Sequence, residues 1–195
     1  MSTTGSVKYD RPMGFRCRWL ATRGRDREEL LARLRFKVVA ELVEEVYDTG
    51  LYALEVDDWL VVIGDGFDHL DKVKRAEAAR LSDGGEVLYL STDDAAMTFE
   101  LAVFSGGTEL WSIAYDGSDG VTAPSFAGAV PWGARTLLAT LEKEQVKAGG
   151  PKAEVDHIYE LAPRYAMSVV GFRHDESLGS GDHVPIWQLA PKTGR

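Results

Sequence analysis

The sequence predicts an α+β fold: a mainly antiparallel sheet of about five to seven strands with helices packed on one side. Three observations lead there. Short apolar runs are joined by two-residue turns at Asp57-Asp58 and Gly106-Gly107, and such short connections imply antiparallel neighbours. Residues 13–21 alternate, with Met13, Phe15, Cys17 and Trp19 on one face and Arg16 and Arg18 on the other, the period of a half-exposed strand. Ala134, Leu137, Leu138 and Leu141 make one apolar stripe at helical spacing.

The elements follow in order. Residues 1–12 are polar and read as a loose leader, with residues 13–195 forming one domain. The strand over 13–21 is expected at a sheet edge. Asp26 with Glu29 resembles a capping box, and Leu30, Leu31, Leu34, Val38, Leu42 and Val46 recur at helical spacing. The β-branched residues from Val38 to Val46 favour a strand instead, so spacing and composition disagree there. Gly50 stands where a left-handed helix cap would fall. Runs 51–56 and 59–63 predict a hairpin, and Asp68 predicts the cap of a helix over 69–81. A meander follows at 86–91, 97–104 and 108–115. Residues 116–133 carry repeated Gly and Pro and read as a loop. Gly149-Gly150-Pro151 ends the helix that starts near Ala134. A short strand is expected near His157–Tyr159, a helix from Pro163 to Val170 closed by Gly171, and a last strand at Pro185–Leu189.

Charge is distributed unevenly along the 195 residues. The formal net charge is −9. Residues 1–37 hold 10 basic and 4 acidic side chains, whereas residues 41–94 hold 15 acidic and 4 basic. Arg16, Arg18, Arg23, Arg25, Arg27, Arg33 and Arg35 are interleaved with Phe15, Trp19 and Phe36, a composition that suits contact with single-stranded nucleic acid. The acidity of the remaining chain opposes that use. The preferred reading pairs these arginines with carboxylates of the same fold, so no nucleic-acid partner is expected.

The lone cysteine, Cys17, forms no internal disulfide and no cysteine metal cluster. It falls on the apolar face of its strand, a buried rather than a reactive position. No apolar run approaches the ~20 residues that span a bilayer, and residues 1–12 lack a signal-peptide core. A cytoplasmic protein without membrane association follows as the expectation. Walker A, Rossmann, nucleophile-elbow and calcium-loop patterns do not occur in the sequence, and no cofactor or metal is expected.

Two sets of residues remain as candidate sites. Asp57, Asp58, Asp65, Asp68 and Asp71, with Asp93 and Asp94, form an acidic set suited to steering and docking a basic protein. The second set is late in the chain. His157, His174, Asp175 and His183 offer acid–base or ligand groups for a hydrolase. His174-Asp175 resembles the dipeptide of metal-dependent phosphohydrolases of the HD type, although the spacings between the histidines are not helical ligand spacings. Trp132, in a Pro/Gly-rich stretch, is the tryptophan best placed for an exposed contact, with closure onto the core as its expected role.

Trp111-Ser112-Ile113-Ala114-Tyr115-Asp116-Gly117, together with Asp156–Tyr159 and Gly171-Phe172-Arg173-His174-Asp175, resembles segments of small bacterial immunity-type proteins. The resemblance implies a non-catalytic protein that binds and neutralises a toxin, and it assigns a role to no individual residue. The expectation is therefore a protein-binding domain engaging a basic partner through its acidic face, a toxin where the resemblance holds. A hydrolase using the late His/Asp set and a homo-oligomeric structural protein are the alternatives, and the oligomeric state stays open.

Overall fold

Residues 16–42, 49–175 and 185–192 are described by the structure, a computed structural model. The expected leader and His183 lie outside them. In chain order the elements are β1 (Arg16–Arg23), α1 (Arg27–Arg33), β2 (Phe36–Leu42), β3 (Gly50–Val56), β4 (Trp59–Asp65), α2 (Phe67–Leu70), α3 (Arg75–Leu81), β5 (Glu86–Asp93), β6 (Thr98–Ser105), β7 (Thr108–Asp116), β8 (Ser125–Gly128), α4 (Trp132–Ala148), α5 (Leu161–Val170) and β9 (Ile186–Pro191). Short 3-10 turns at Gly150–Lys152 and Ile158–Glu160 lie between α4 and α5.

The nine strands form one sheet in the order β2-β9-β3-β4-β1-β5-β6-β7-β8, and each neighbouring pair runs antiparallel. The α+β class and the antiparallel sheet agree with the sequence reading. The strand number is higher than expected for two reasons. The β-branched segment after α1 is strand β2, not a continuation of the helix, and the Gly/Pro-rich stretch contains β8. Asp26 caps α1 by accepting from Glu28 N at 2.8 Å and Glu29 N at 3.2 Å, and Arg35, at φ 58, turns the chain out of it. Val38 and Val39 then continue in the conformation that branched side chains favour. Gly50 opens β3, and residues 43–48, which the expected cap would close, lie outside the described residues.

The helices do not pack on one side; they cover both faces. Side chains along each inner strand alternate between two apolar layers. Cys17, Trp19, Ala21, Trp59, Val61, Ile63, Leu88 and Leu90 pack with Ala134 and Leu141 of α4 and Leu161, Ala162, Ala166 and Val170 of α5. Leu20, Leu60, Val62, Val87 and Tyr89 pack with Leu30 and Leu31 of α1 and Ala78 and Leu81 of α3. A strand covered on both faces has no polar side to display. That accounts for Trp59–Asp65, in which every residue is buried, and for the run Val87–Leu90.

The same layering corrects the place of β1. It is not an edge strand but lies between β4 and β5, with Leu20 and Ala21 fully buried on opposite faces. The helix expected over 69–81 is broken into α2 and α3, and Asp68 lies inside α2 rather than capping it. Gly64 permits this close return: a Cβ there would approach the His69 carbonyl oxygen to 2.7 Å. Residues 158–160 form a 3-10 turn, not a strand. Gly106 and Gly107, at φ 58 and 78, make the β6–β7 turn, the double positive φ of a type I′ hairpin. The last strand threads between β2 and β3, burying Trp187 and Leu189 in one layer and Ile186 in the other.

Candidate functional site

The acidic set does not form one face. Asp57 and Asp58 occupy the β3–β4 turn, with Asp57 at φ 51. Asp65 lies at the opposite end of β4, about 20 Å away along an extended strand. The other members gather at the Asp65 end. Asp65 stands opposite Cys17, and Asp93 opposite Arg16. Asp93 also faces Thr98, which in turn faces Asp116 at the end of β7. Asp68 and Asp71 follow directly, because the Gly66 N–H bonds to the Arg16 carbonyl and folds α2 over this end.

Residues that the sequence reading did not select complete the assembly. The Tyr159 hydroxyl donates to Asp94 Oδ1 at 2.5 Å, and the Tyr115 hydroxyl donates to Asp156 Oδ2 at 2.5 Å. Asp156 also caps the following turn, accepting from Ile158 N and Tyr159 N. Arg173 pairs with Glu160 at 2.9 Å and binds Asp175 through two hydrogen bonds of 2.6 and 2.8 Å. No local motif marks Tyr115, Asp156, Tyr159 and Glu160 as a group. They are joined by the folding of separate segments onto one sheet end.

The arginines from Arg16 to Arg33, in β1, α1 and the turn between them, behave as the charge reading expects. Arg16 pairs with Asp93 at 2.8 Å, Arg23 with Asp58 at 2.9 Å, and Arg25 and Arg33 with Glu29 at 2.6 and 3.0 Å. Arg18 stands 3.8 Å from Asp71. Three also lie over aromatic rings: Arg16 over Phe67 at 4.1 Å, Arg23 over Trp59 at 4.5 Å and Arg27 over Trp187 at 3.8 Å. These pairs answer part of the acidity and fix the ring of Phe67, which is 70% exposed.

The acidic end still carries a negative field. The Asp94 carboxyl is pushed above the usual carboxylate range by burial and then by Asp175, Asp93 and Glu160, against the lowering effect of the Tyr159 hydrogen bond. Partial burial opposes ionisation of Asp175 too, yet Arg173 and His174 hold it below the usual range. Burial and the bond to Asp156 push the Tyr115 phenol up to about 12. The unfolded chain ionises Tyr115 near pH ~10, so its contribution to stability is complete below that pH and is lost as pH rises through 12. Tyr115→Phe should therefore flatten this share of the alkaline limb in urea titrations between the two pH values, while an unchanged slope would contradict the Tyr115–Asp156 bond.

The late histidines are set among different neighbours. His157 stands beside α4, where its backbone N–H donates to Gln145 Oε1 at 2.7 Å and its Nδ1 lies 4.0 Å from Glu144. His174 is 3% exposed, next to the Arg173–Asp175 pair. Among the described residues no group of three or more His, Cys, Asp or Glu side chains is placed to hold a metal ion. Cys17 is fully buried, with Sγ 3.4 Å from Thr92 Oγ1. Trp132 does not close onto the core; it is 81% exposed at the start of α4.

Fold and surface together define an α+β protein with a concentrated acidic sheet end. No family model matches the chain, and no curated protein or solved structure matches it either. Among the described residues no helix is long and apolar enough to cross a membrane.

Proposed function

We propose that this chain is a cytoplasmic protein-binding domain that engages a cationic protein at the acidic end of its sheet, as an immunity-type protein occludes a toxin. One observation carries the reading: carboxylates from separate segments, Asp68 and Asp71 after β4, Asp93 and Asp94 at the end of β5 and Asp175 late in the chain, gather at one sheet end, where Arg16 links Asp93 to the exposed ring of Phe67 while Asp65 itself is buried. The negative field accelerates encounter with a positive surface. Phe67 supplies the apolar anchor that charge alone lacks, and aromatic anchors dominate binding energy in such patches. Arg16, stacked on that ring and paired with Asp93, holds the anchor in place. Asp57 and Asp58, at the far end of the sheet, take no part.

The test is affinity purification at low salt, with the captured protein identified and its binding rate measured against ionic strength. A cationic partner whose association slows steeply with salt is expected. Asp68→Lys with Asp71→Lys should lower the association rate by about tenfold or more, and Phe67→Ala should speed dissociation. A partner that binds these variants and the wild-type chain equally would overturn the reading.

A further inference from the structure

We infer that the cleft between α1 and α3 binds a compact polyphosphate anion. The cleft has a volume of about 610 Å³ and is lined by Arg33, Leu34, Arg35, Lys72, Lys74, Glu77, Arg80 and Leu81, a size within the usual range of small-ligand sites. It lies on the sheet face covered by α1 and α3, and its residues are different from those proposed to dock a protein, although Lys72 directly follows Asp71 of that surface. Among the described residues five cations against one carboxylate line it, in a chain whose formal net charge is −9.

Two of these cations already have partners: Arg33 pairs with Glu29, and Arg80 with Glu77. The side chains of Arg35, Lys72 and Lys74 make no ion pair or hydrogen bond among the described residues. Every other arginine of the arginine-rich segment from Arg16 to Arg33 has a carboxylate or an aromatic ring. Arg35 departs from that pattern, and it does so in a backbone conformation, φ 58, that glycine adopts with less strain. Like charges gathered in one cleft repel, and a multiply charged anion relieves that repulsion. Guanidinium and ammonium groups together supply the forked and single donors that phosphate oxygens accept.

The lining also limits what the ligand carries. Among the described residues its apolar members are Leu34 and Leu81, and none of them brings an aromatic ring to stack on a base. Recognition then rests on the phosphates, so inorganic tripolyphosphate and a nucleoside triphosphate should bind alike. Asp71 and Asp83 border the lining segments in sequence and are exposed, which disfavours a long nucleic-acid strand extending out of the cleft.

Calorimetry and backbone-amide NMR at low salt test this with inorganic tripolyphosphate, ATP, adenosine and a single-stranded oligonucleotide as probes. Tripolyphosphate and ATP are expected to bind within a few-fold of each other, to shift the signals of residues 33–35, 72–74 and 80–81, and to weaken as salt is added. Adenosine is expected not to bind. Arg35→Gly with Lys72→Gln should weaken tripolyphosphate by at least about tenfold. Because glycine suits the left-handed position, this variant should melt no lower than the wild-type chain, which separates lost binding from lost folding. Any of four results would overturn the inference: no saturable tripolyphosphate binding to the wild-type chain, binding unchanged in the variant, adenosine binding, or an oligonucleotide bound more tightly than tripolyphosphate.

Discussion

Replacing Trp19 with alanine should destabilise the protein by about 3–5 kcal/mol, a large share of the roughly 5–15 kcal/mol that holds a typical domain folded. Trp19 is fully buried in the middle of the central strand. Ile63 and Leu90 stand opposite it on the two neighbouring strands. Its ring meets Phe172 edge to face at 5.3 Å, which ties the segment after α5 to the sheet. Alanine would leave a cavity bounded on both sides by strands that cannot move together without breaking their ladders. Trp19→Phe should cost much less, for a second reason: the buried Trp19 indole Nε1 has no hydrogen-bond partner among the described residues, so phenylalanine removes an unsatisfied donor along with the lost volume. Urea denaturation checks both variants. A midpoint for Trp19→Ala within experimental error of the wild-type value would show that the ring is not in the core.

The second large effect belongs to the pair Tyr159 and Asp94. Tyr159→Phe should cost about 1–3 kcal/mol, because it leaves a half-buried carboxylate without its hydroxyl donor. Asp94→Asn should be neutral or stabilising at pH 7. The amide oxygen can still accept from Tyr159, and the substitution removes a charge that burial, Asp175, Asp93 and Glu160 all disfavour. The pH dependence follows in sign. The folded protein protonates Asp94 at a higher pH than the unfolded chain does. Ionised Asp94 therefore weighs against the fold above its folded pKa, and this disadvantage disappears as pH falls below the usual carboxylate value of ~3.9. The advantage of Asp94→Asn should shrink over the same interval. In the Asp94→Asn background Tyr159→Phe should cost less than in the wild-type chain, and equal costs in both backgrounds would refute the coupling.

Much of the local structure was legible in the sequence because its cause is local. Asp26 caps α1 with its own side chain. Gly106-Gly107 turns because two positive φ values are needed there. Gly171, at φ 74, ends α5 in the left-handed conformation. Errors arose where two signals compete or where the partner is remote. Helical spacing continued past Arg33, yet the branched side chains and the pairing of β2 with β9 decided for strand. The two-sided burial of β4 and β5 was written in the unbroken runs Leu60–Ile63 and Val87–Leu90, where alternation is missing. Those runs were the available evidence against helices on one face.

The candidate sites divide the same way. Chemical type was readable: acidic middle, basic start, buried lone cysteine. Location was not, because neighbours in sequence at a hairpin and at a strand end can stand a full strand length apart. Asp58 and Asp65 are separated in this manner, while Asp94 and Tyr159 are brought to hydrogen-bond distance across 65 positions. Sequence alone determined the α+β class, the antiparallel pairing and the expectation that the first arginines would meet carboxylates. Only the tertiary structure decided that β1 is central, that both sheet faces are covered, and that Arg35, Lys72 and Lys74 share one cleft. Strand order and convergence depend on contacts between distant segments, and those contacts are set by how whole apolar faces are buried rather than by any short stretch of residues.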